Sequence, residues 1–181
     1  MLGARARSPA ATDEKRESYL EQIAGKAREM VTALDEIVWA MNPRHDSLES
    51  LVSYFCLYAD RFLGLANIVW RLEGDSVPPD FVVDSRHRHQ LFLAFKEALT
   101  NVVRHSGATE VRLGIWLEAG ELWLSMTDNG HGLPTETRTE AMDGVANMRA
   151  RLEKLGGRFE ITSAKDCGTT LRFCVPAKLN L

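Results

Sequence analysis

Leu91-Phe92-Leu93-Ala94-Phe95-Lys96-Glu97-Ala98-Leu99-Thr100-Asn101-Val102-Val103-Arg104-His105 is the stretch on which the reading of this chain turns. Leu91, Phe92, Phe95, Ala98, Leu99, Val102 and Val103 recur at three- and four-residue spacing, while Glu97, Asn101, Arg104 and His105 share the opposite face. The pattern predicts one helix with a polar stripe. Glu97 and Asn101 stand one turn apart, so a carboxylate and an amide oxygen converge on one spot, as a hard cation such as magnesium requires. Taken alone, the pair reads equally as a solvated helix face.

Working outward, Val111, Leu113 and Ile115 alternate with Arg112, Gly114 and Trp116, and Leu122, Leu124 and Met126 alternate with Trp123, Ser125 and Thr127. Separated by Glu118-Ala119-Gly120-Glu121, the two runs predict an antiparallel hairpin with one buried face. Asp128-Asn129-Gly130-His131-Gly132 follows directly, so Asp128 falls at a strand end, and Gly130 and Gly132 let the backbone approach a ligand closely. His131, between them, is expected to face solvent. Residues 133 to 143 are polar and without period, suiting a mobile lid. Val145, Met148, Leu152 and Leu155 then mark a helix opening at Gly144-Val145 and ending at Gly156-Gly157, before strands around Phe159 to Thr162 and Thr169 to Val175.

Upstream, residues 1 to 12 are expected to be a disordered tail. Leu20, Ile23, Ala27, Met30, Leu34, Ile37 and Met41 form a coiled-coil-like seam that predicts a long helix and dimerisation, ended by Asn42-Pro43. Asp46 or Ser47 can cap the next helix, with Glu49 placed for a capping box and Leu48 to Leu63 carrying its apolar face to about Ala66. Ile68 to Leu72 reads as a strand and Pro78-Pro79 as a loop. Asp84 or Ser85 caps the polar-stripe helix, which Gly107 ends. The expected division is a tail over 1–12, a helical segment over 13–66 and one further domain over 67–181.

The 181 residues carry 22 basic and 25 acidic side chains, a net charge of −3, which gives no bulk attraction to nucleic acid or anionic membrane. Cys56, Cys167 and Cys174 lack metal-type spacing and read as reduced thiols of a cytoplasmic protein. No apolar run is long enough for a membrane helix, and the N-terminus lacks the core of a signal peptide. A sensor or membrane anchor in an intact protein would have to lie outside this stretch.

Four pieces in order, Glu97-x-x-x-Asn101, Asp128-x-Gly130-x-Gly132, Gly144-Val145 and Gly168-Thr169, resemble the ATP-binding domain of the Bergerat-fold superfamily. Lys96-Glu97-Ala98-Leu99-Thr100-Asn101 with Arg104-His105 is most similar to sensor histidine kinases of the nitrate-sensor-like branch. Leu34 to Pro43 resembles the second helix of their dimerisation hairpin. The resemblance implies an α+β fold: a two-layer α/β sandwich with a mixed, mainly antiparallel sheet, preceded by long N-terminal helices. It implies ATP and Mg²⁺ as cofactors. Asp128 would bind the adenine amine, which needs an acceptor, with Thr169 assisting. Asn101 would hold magnesium, Glu97 would orient water or metal as the catalytic residue, and Arg104 and His105 would face the phosphates. Gly130, Gly132, Gly144, Val145 and Gly168 complete the expected nucleotide site, the helix opening at Val145 offering its N–H groups to phosphate.

The implied function is transfer of the ATP γ-phosphoryl group to a histidine, and thence to a response regulator, by a homodimer. That histidine would sit on a hairpin helix of the same or a partner subunit. None of the five histidines here lies in the family's acceptor motif, so the expected piece is the second hairpin helix plus the catalytic domain. Two positions depart from the family: Met142 and Asp166 stand where glycines are usual. Alternatives are a Bergerat ATPase that is not a kinase, and an anti-sigma-like or pseudokinase module that holds nucleotide without turnover.

Overall fold

The computed structural model describes residues 13–74, 82–133 and 140–176. The chain divides into two units, one ending at Met41 and the other beginning at Asn42. The first is a single helix, α1 (Asp13–Met41). Along it Leu20, Met30, Leu34, Ile37 and Met41 of the expected seam are all exposed, Leu34 at 59%.

In the second unit a short 3₁₀ turn (Pro43–His45) leads into α2 (Leu48–Leu65). Ser47 is its cap, its hydroxyl accepting from the Ser50 amide at 3.1 Å. With Ser47 at that position the third residue of the helix is Ser50, so Glu49 completes no capping box and simply places charge in the first turn. Then come β1 (Val69–Glu73), α3 (Ser85–Asn101), β2 (Glu110–Glu118), β3 (Glu121–Asp128), α4 (Glu140–Glu153), β4 (Arg158–Ser163) and β5 (Thr169–Pro176). Asp84 caps α3, accepting from the His87 amide at 2.8 Å. The expected Pro78-Pro79 loop lies outside the described residues.

The five strands form one sheet in the order β1-β2-β3-β5-β4. β1 pairs with β2 in parallel and every other pairing is antiparallel, as the mixed sheet expected from the sequence requires. Ala119 and Gly120 turn the β2–β3 hairpin with φ of 51° and 78°, the left-handed pair that a two-residue hairpin demands. Alternation sends Val111, Leu113, Ile115, Leu122, Leu124, Met126, Leu171 and Phe173 to one buried face. Against that face lie Leu91, Ala98, Leu99 and Val102 of the α3 segment and Met148 and Leu152 of α4. Phe55 of α2 stacks on Phe95 of α3 at 4.4 Å between centroids, fastening the helical layer together. Stripes of apolar side chains on three helices and one sheet face thus produce a two-layer core.

Candidate functional site

Asp128 is the last residue of β3, and the same alternation that buries Leu122, Leu124 and Met126 turns its carboxylate inward, where it is 6% exposed. Burial raises its pKa above the ordinary aspartate value; the amides of Gly130 and Thr169, and the charge of His131, oppose that rise. Its Oδ1 accepts from the Gly130 amide at 2.9 Å. The carboxylate borders a cavity of about 30 Å³ with Ala98, Asn101, His105, Val145 and Thr169. Sequence reasoning therefore brings to one cavity Asn101, His105, Asp128, Gly132, Val145 and Thr169. It missed the apolar wall of Ala98, Val102, Leu133, Ile161 and Leu171, whose signal was only the core pattern of their helix and strands. Arg104 is exposed and does not line the cavity.

The reason lies in an element that no sequence signal marks. After Asn101 the helix widens into one π turn, Val102–Ser106, before Gly107 stops it at φ 65°. Buried Ser106 holds the turn, its hydroxyl donating to the Val102 carbonyl at 2.7 Å and accepting from the Ala108 amide at 3.0 Å. The extra residue per turn carries Arg104 off the stripe that starts at Glu97.

Three of the glycines are required by the backbone itself. A Cβ on Gly130 would strike the Ser106 carbonyl oxygen, one on Gly132 the Ala164 carbonyl oxygen, and one on Gly168 the carbonyl oxygen of Asp128 itself. The loop after β3 is thereby welded to the π turn on one side and to the β4–β5 turn on the other. His131 closes both welds, its amide donating to Ser106 O at 2.9 Å and its carbonyl accepting from the Asp166 amide at 2.9 Å. Its ring is exposed, as expected. Asp166 adopts φ 59°, a left-handed conformation that aspartate tolerates, so the backbone path of the usual glycine survives the replacement. Asn129 adds a fastener: its Oδ1 accepts from the amides of Thr109 and Glu110 at 2.9 and 3.0 Å.

One expectation needs correcting. The helix does not open at Val145 but is already formed at Glu140, so Gly144 and Val145 lie inside it and their N–H groups are no longer a free helix start. Met142 favours the run, being a better helix former than the glycine usual there. Gly144 meets the polar stripe directly: a Cβ there would collide with Glu97 Oε1 and lie 3.2 Å from Asn101 Nδ2. With α4 in this place the cavity has room for about one water, against roughly 300–1,000 Å³ for sites that enclose organic ligands. Admitting a base requires the lining to open, and a withdrawal of α4, which contributes Val145, would open it. Gly144→Ala is expected to force that withdrawal, so amide exchange over Val145–Glu153 quickens while β2 and β3 keep their protection. Unchanged exchange in α4 would mean that Glu97 swings aside instead.

The donor set suits adenine and a hard cation: one buried acceptor at Asp128, and two oxygens, Glu97 and Asn101, on a neighbouring helix face. Among the described residues no cluster of three or more His, Cys, Asp or Glu could hold a metal by itself. Nor is any described helix long and apolar enough to cross a membrane.

Residues 86–179 match the family of histidine kinase-, DNA gyrase B-, and HSP90-like ATPases. Sensor protein VraS of Staphylococcus haemolyticus is 34% identical over 97 residues, covering 54% of this chain. The chain spans only 28% of the length of that relative. The fold matches the histidine kinase domain of the Erythrobacter litoralis EL346 blue-light activated histidine kinase, with a TM-score of 0.60 at 16% identity over 97% of this chain and 90% of that one. It also matches the Acinetobacter baumannii histidine kinase AdeS, with a TM-score of 0.62 at 16% identity over 99% and 91%. With more than half its length in the profile, and the sheet, the polar helix and the buried strand-end aspartate in place, the chain belongs to the histidine kinase-, DNA gyrase B-, and HSP90-like ATPase family.

Proposed function

We propose that the chain is the ATP-binding catalytic portion of a sensor histidine kinase, passing the γ-phosphoryl group of ATP to a histidine on a hairpin helix of the same or a partner subunit. The observation that carries the reading is the meeting of Asn101 with buried Asp128 around one cavity, with Glu97 one turn before Asn101 against Gly144, in a chain whose relatives are sensor proteins. Asp128 accepts from the adenine amine and Thr169, its partner across the β3–β5 pair, supports it. Asn101 takes Mg²⁺ with Glu97 on the same face, His105 serves the phosphates from the cavity wall, and exposed Arg104 meets them from outside it. Magnesium keeps several waters and the phosphate oxygens, so two protein oxygens suffice. Catalysis is then mostly positioning and charge stabilisation, as phosphoryl transfer requires. A response regulator is the downstream acceptor, and the domain works in the cytoplasm, where ATP is. The finer assignment to the nitrate-sensor-like branch rests on the wording of Lys96–Asn101 and Arg104-His105; the relative quoted above is a VraS sensor.

A second reading, a nucleotide-holding module without turnover, is favoured by one observation: Gly144 packed onto Glu97. Incubating the chain with labelled ATP, Mg²⁺ and a separately made histidine-bearing hairpin separates the readings. Phosphohistidine is expected. Free phosphate alone points to an ATPase, and retained nucleotide with neither product points to the module.

The exposed seam of α1 is proposed to be where two copies meet. Leu34→Glu, at the middle of that row, is expected to convert a dimer into a monomer by sedimentation. A parent chain that is already monomeric at the same concentration would remove the seam from the account.

A further inference from the structure

Away from the nucleotide cavity, α3 and α4 border a second concavity of about 390 Å³, lined by Arg86, Gln90, Asn147, Arg151, Lys154 and Leu155. It shares no lining residue with the first. Three of its groups are cations and none is a carboxylate. Arg151 donates from Nη1 to Gln90 Oε1 at 3.3 Å. Among the described residues neither arginine nor Lys154 has a carboxylate within ion-pair reach.

Helix dipoles account for part of this arrangement only. Arg151 and Lys154 stand at the C-terminal end of α4, where positive charge is favourable. Arg86 stands in the first turn of α3, the positive end of that helix, where the one offsetting acid is the cap Asp84, which is turned to His87. Three like charges around one hollow repel each other, and an anion seated among them turns that cost into attraction. Two guanidinium forks, an ammonium and the amides of Gln90 and Asn147 are the donors that phosphate oxygens accept.

We propose that this concavity is a binding site for a free phosphate-bearing small molecule, separate from the nucleotide cavity. Its volume and buried Leu155 fit a compact ligand better than the plane of a membrane, and the net charge of −3 works against an anionic lipid surface. α4 contributes Asn147, Arg151 and Lys154 here and Val145 to the nucleotide cavity, so occupancy pins α4 on α3.

The test is a calorimetric titration of the full chain with inorganic pyrophosphate, without ATP or metal, followed by amide NMR. Binding is expected, with shifts over residues 86–90 and 147–155. Arg86→Gln combined with Arg151→Gln should weaken it by roughly tenfold or more. Both side chains are exposed, so the variant is expected to melt with the parent; Lys154→Gln gives the same readout with a smaller loss should the double variant misfold. Equal affinity in the variants overturns the proposal, as do shifts confined to residues 101–106 and 128–133. Binding to phosphatidylglycerol vesicles with no response to pyrophosphate overturns it as well.

Discussion

Arg88→Met is expected to lower the free energy of unfolding by about 1–3 kcal/mol, the usual cost of leaving a buried acceptor without its donor, because the Asp46 carboxylate is 36% exposed and can turn to water. Arg88 sits on α3 with no exposed surface. One guanidinium nitrogen donates to Asp46 Oδ1 at 2.6 Å and to the Val83 carbonyl at 3.1 Å, and the other to the Asn42 carbonyl at 3.0 Å. One side chain therefore holds the segment leading into α2, the segment leading into α3, and α3 itself. Methionine fills the space but leaves two carbonyls and a carboxylate without that donor. In a domain whose whole stability is about 5–15 kcal/mol, a loss of about 3 kcal/mol is a fifth or more. Arg88→Lys should recover only part of it, because an ammonium cannot span three acceptors in the plane of a fork. Urea unfolding of the three proteins measures this, and a loss under about 1 kcal/mol for Arg88→Met would show that the clamp contributes little.

Asp128→Asn is expected to move binding and stability in opposite directions. Losing a charged hydrogen bond to the adenine amine, and leaving a donor without a partner, costs about 1.5–3 kcal/mol, or roughly ten- to hundredfold in affinity. Adenosine and ATP should both show the loss, with or without Mg²⁺, whereas Asn101→Ala should weaken ATP only when Mg²⁺ is present and leave adenosine alone. Stability goes the other way. The folded-state pKa of Asp128 is raised, so the stability it contributes is fully present below the unfolded pKa and is lost as pH rises through the folded value. Asparagine carries no such loss. The unliganded variant should therefore melt above the parent at neutral pH, and the gap should close below the ordinary aspartate value of about 3.9. Equal losses for both variants under every nucleotide condition would refute the assignment. A variant that melts below the parent at neutral pH would refute the electrostatic account.

Much of this was legible in the order of residues. The three-and-four spacing from Leu91 to Val103, the alternation about Ala119-Gly120 and the cap at Asp84 each report a local periodicity or turn preference, and each element formed where it was expected. What escaped is non-local. Nothing in Ser85-Arg86-His87-Arg88-His89 distinguishes the buried arginine from its exposed neighbour, because its partners lie 42 and 46 residues away. The π turn was equally silent, since Val102 to Ser106 contains neither glycine nor proline and is held by the hydroxyl of Ser106. Met142 was visible as a departure, but its consequence, a helix begun one turn early and laid over Glu97, depends on packing that no window of sequence contains.

The welds at Gly130, Gly132 and Gly168 bear on how such a protein ages over evolutionary time. Each glycine is demanded by a carbonyl oxygen of the chain itself. A lineage that stopped turning over nucleotide would still be culled for replacing any of them, because the loop would no longer fit against its neighbours. A requirement for folding alone would keep the glycine signature intact. Its presence in a sequence therefore testifies that this corner of the sheet is built, and says nothing by itself about catalysis.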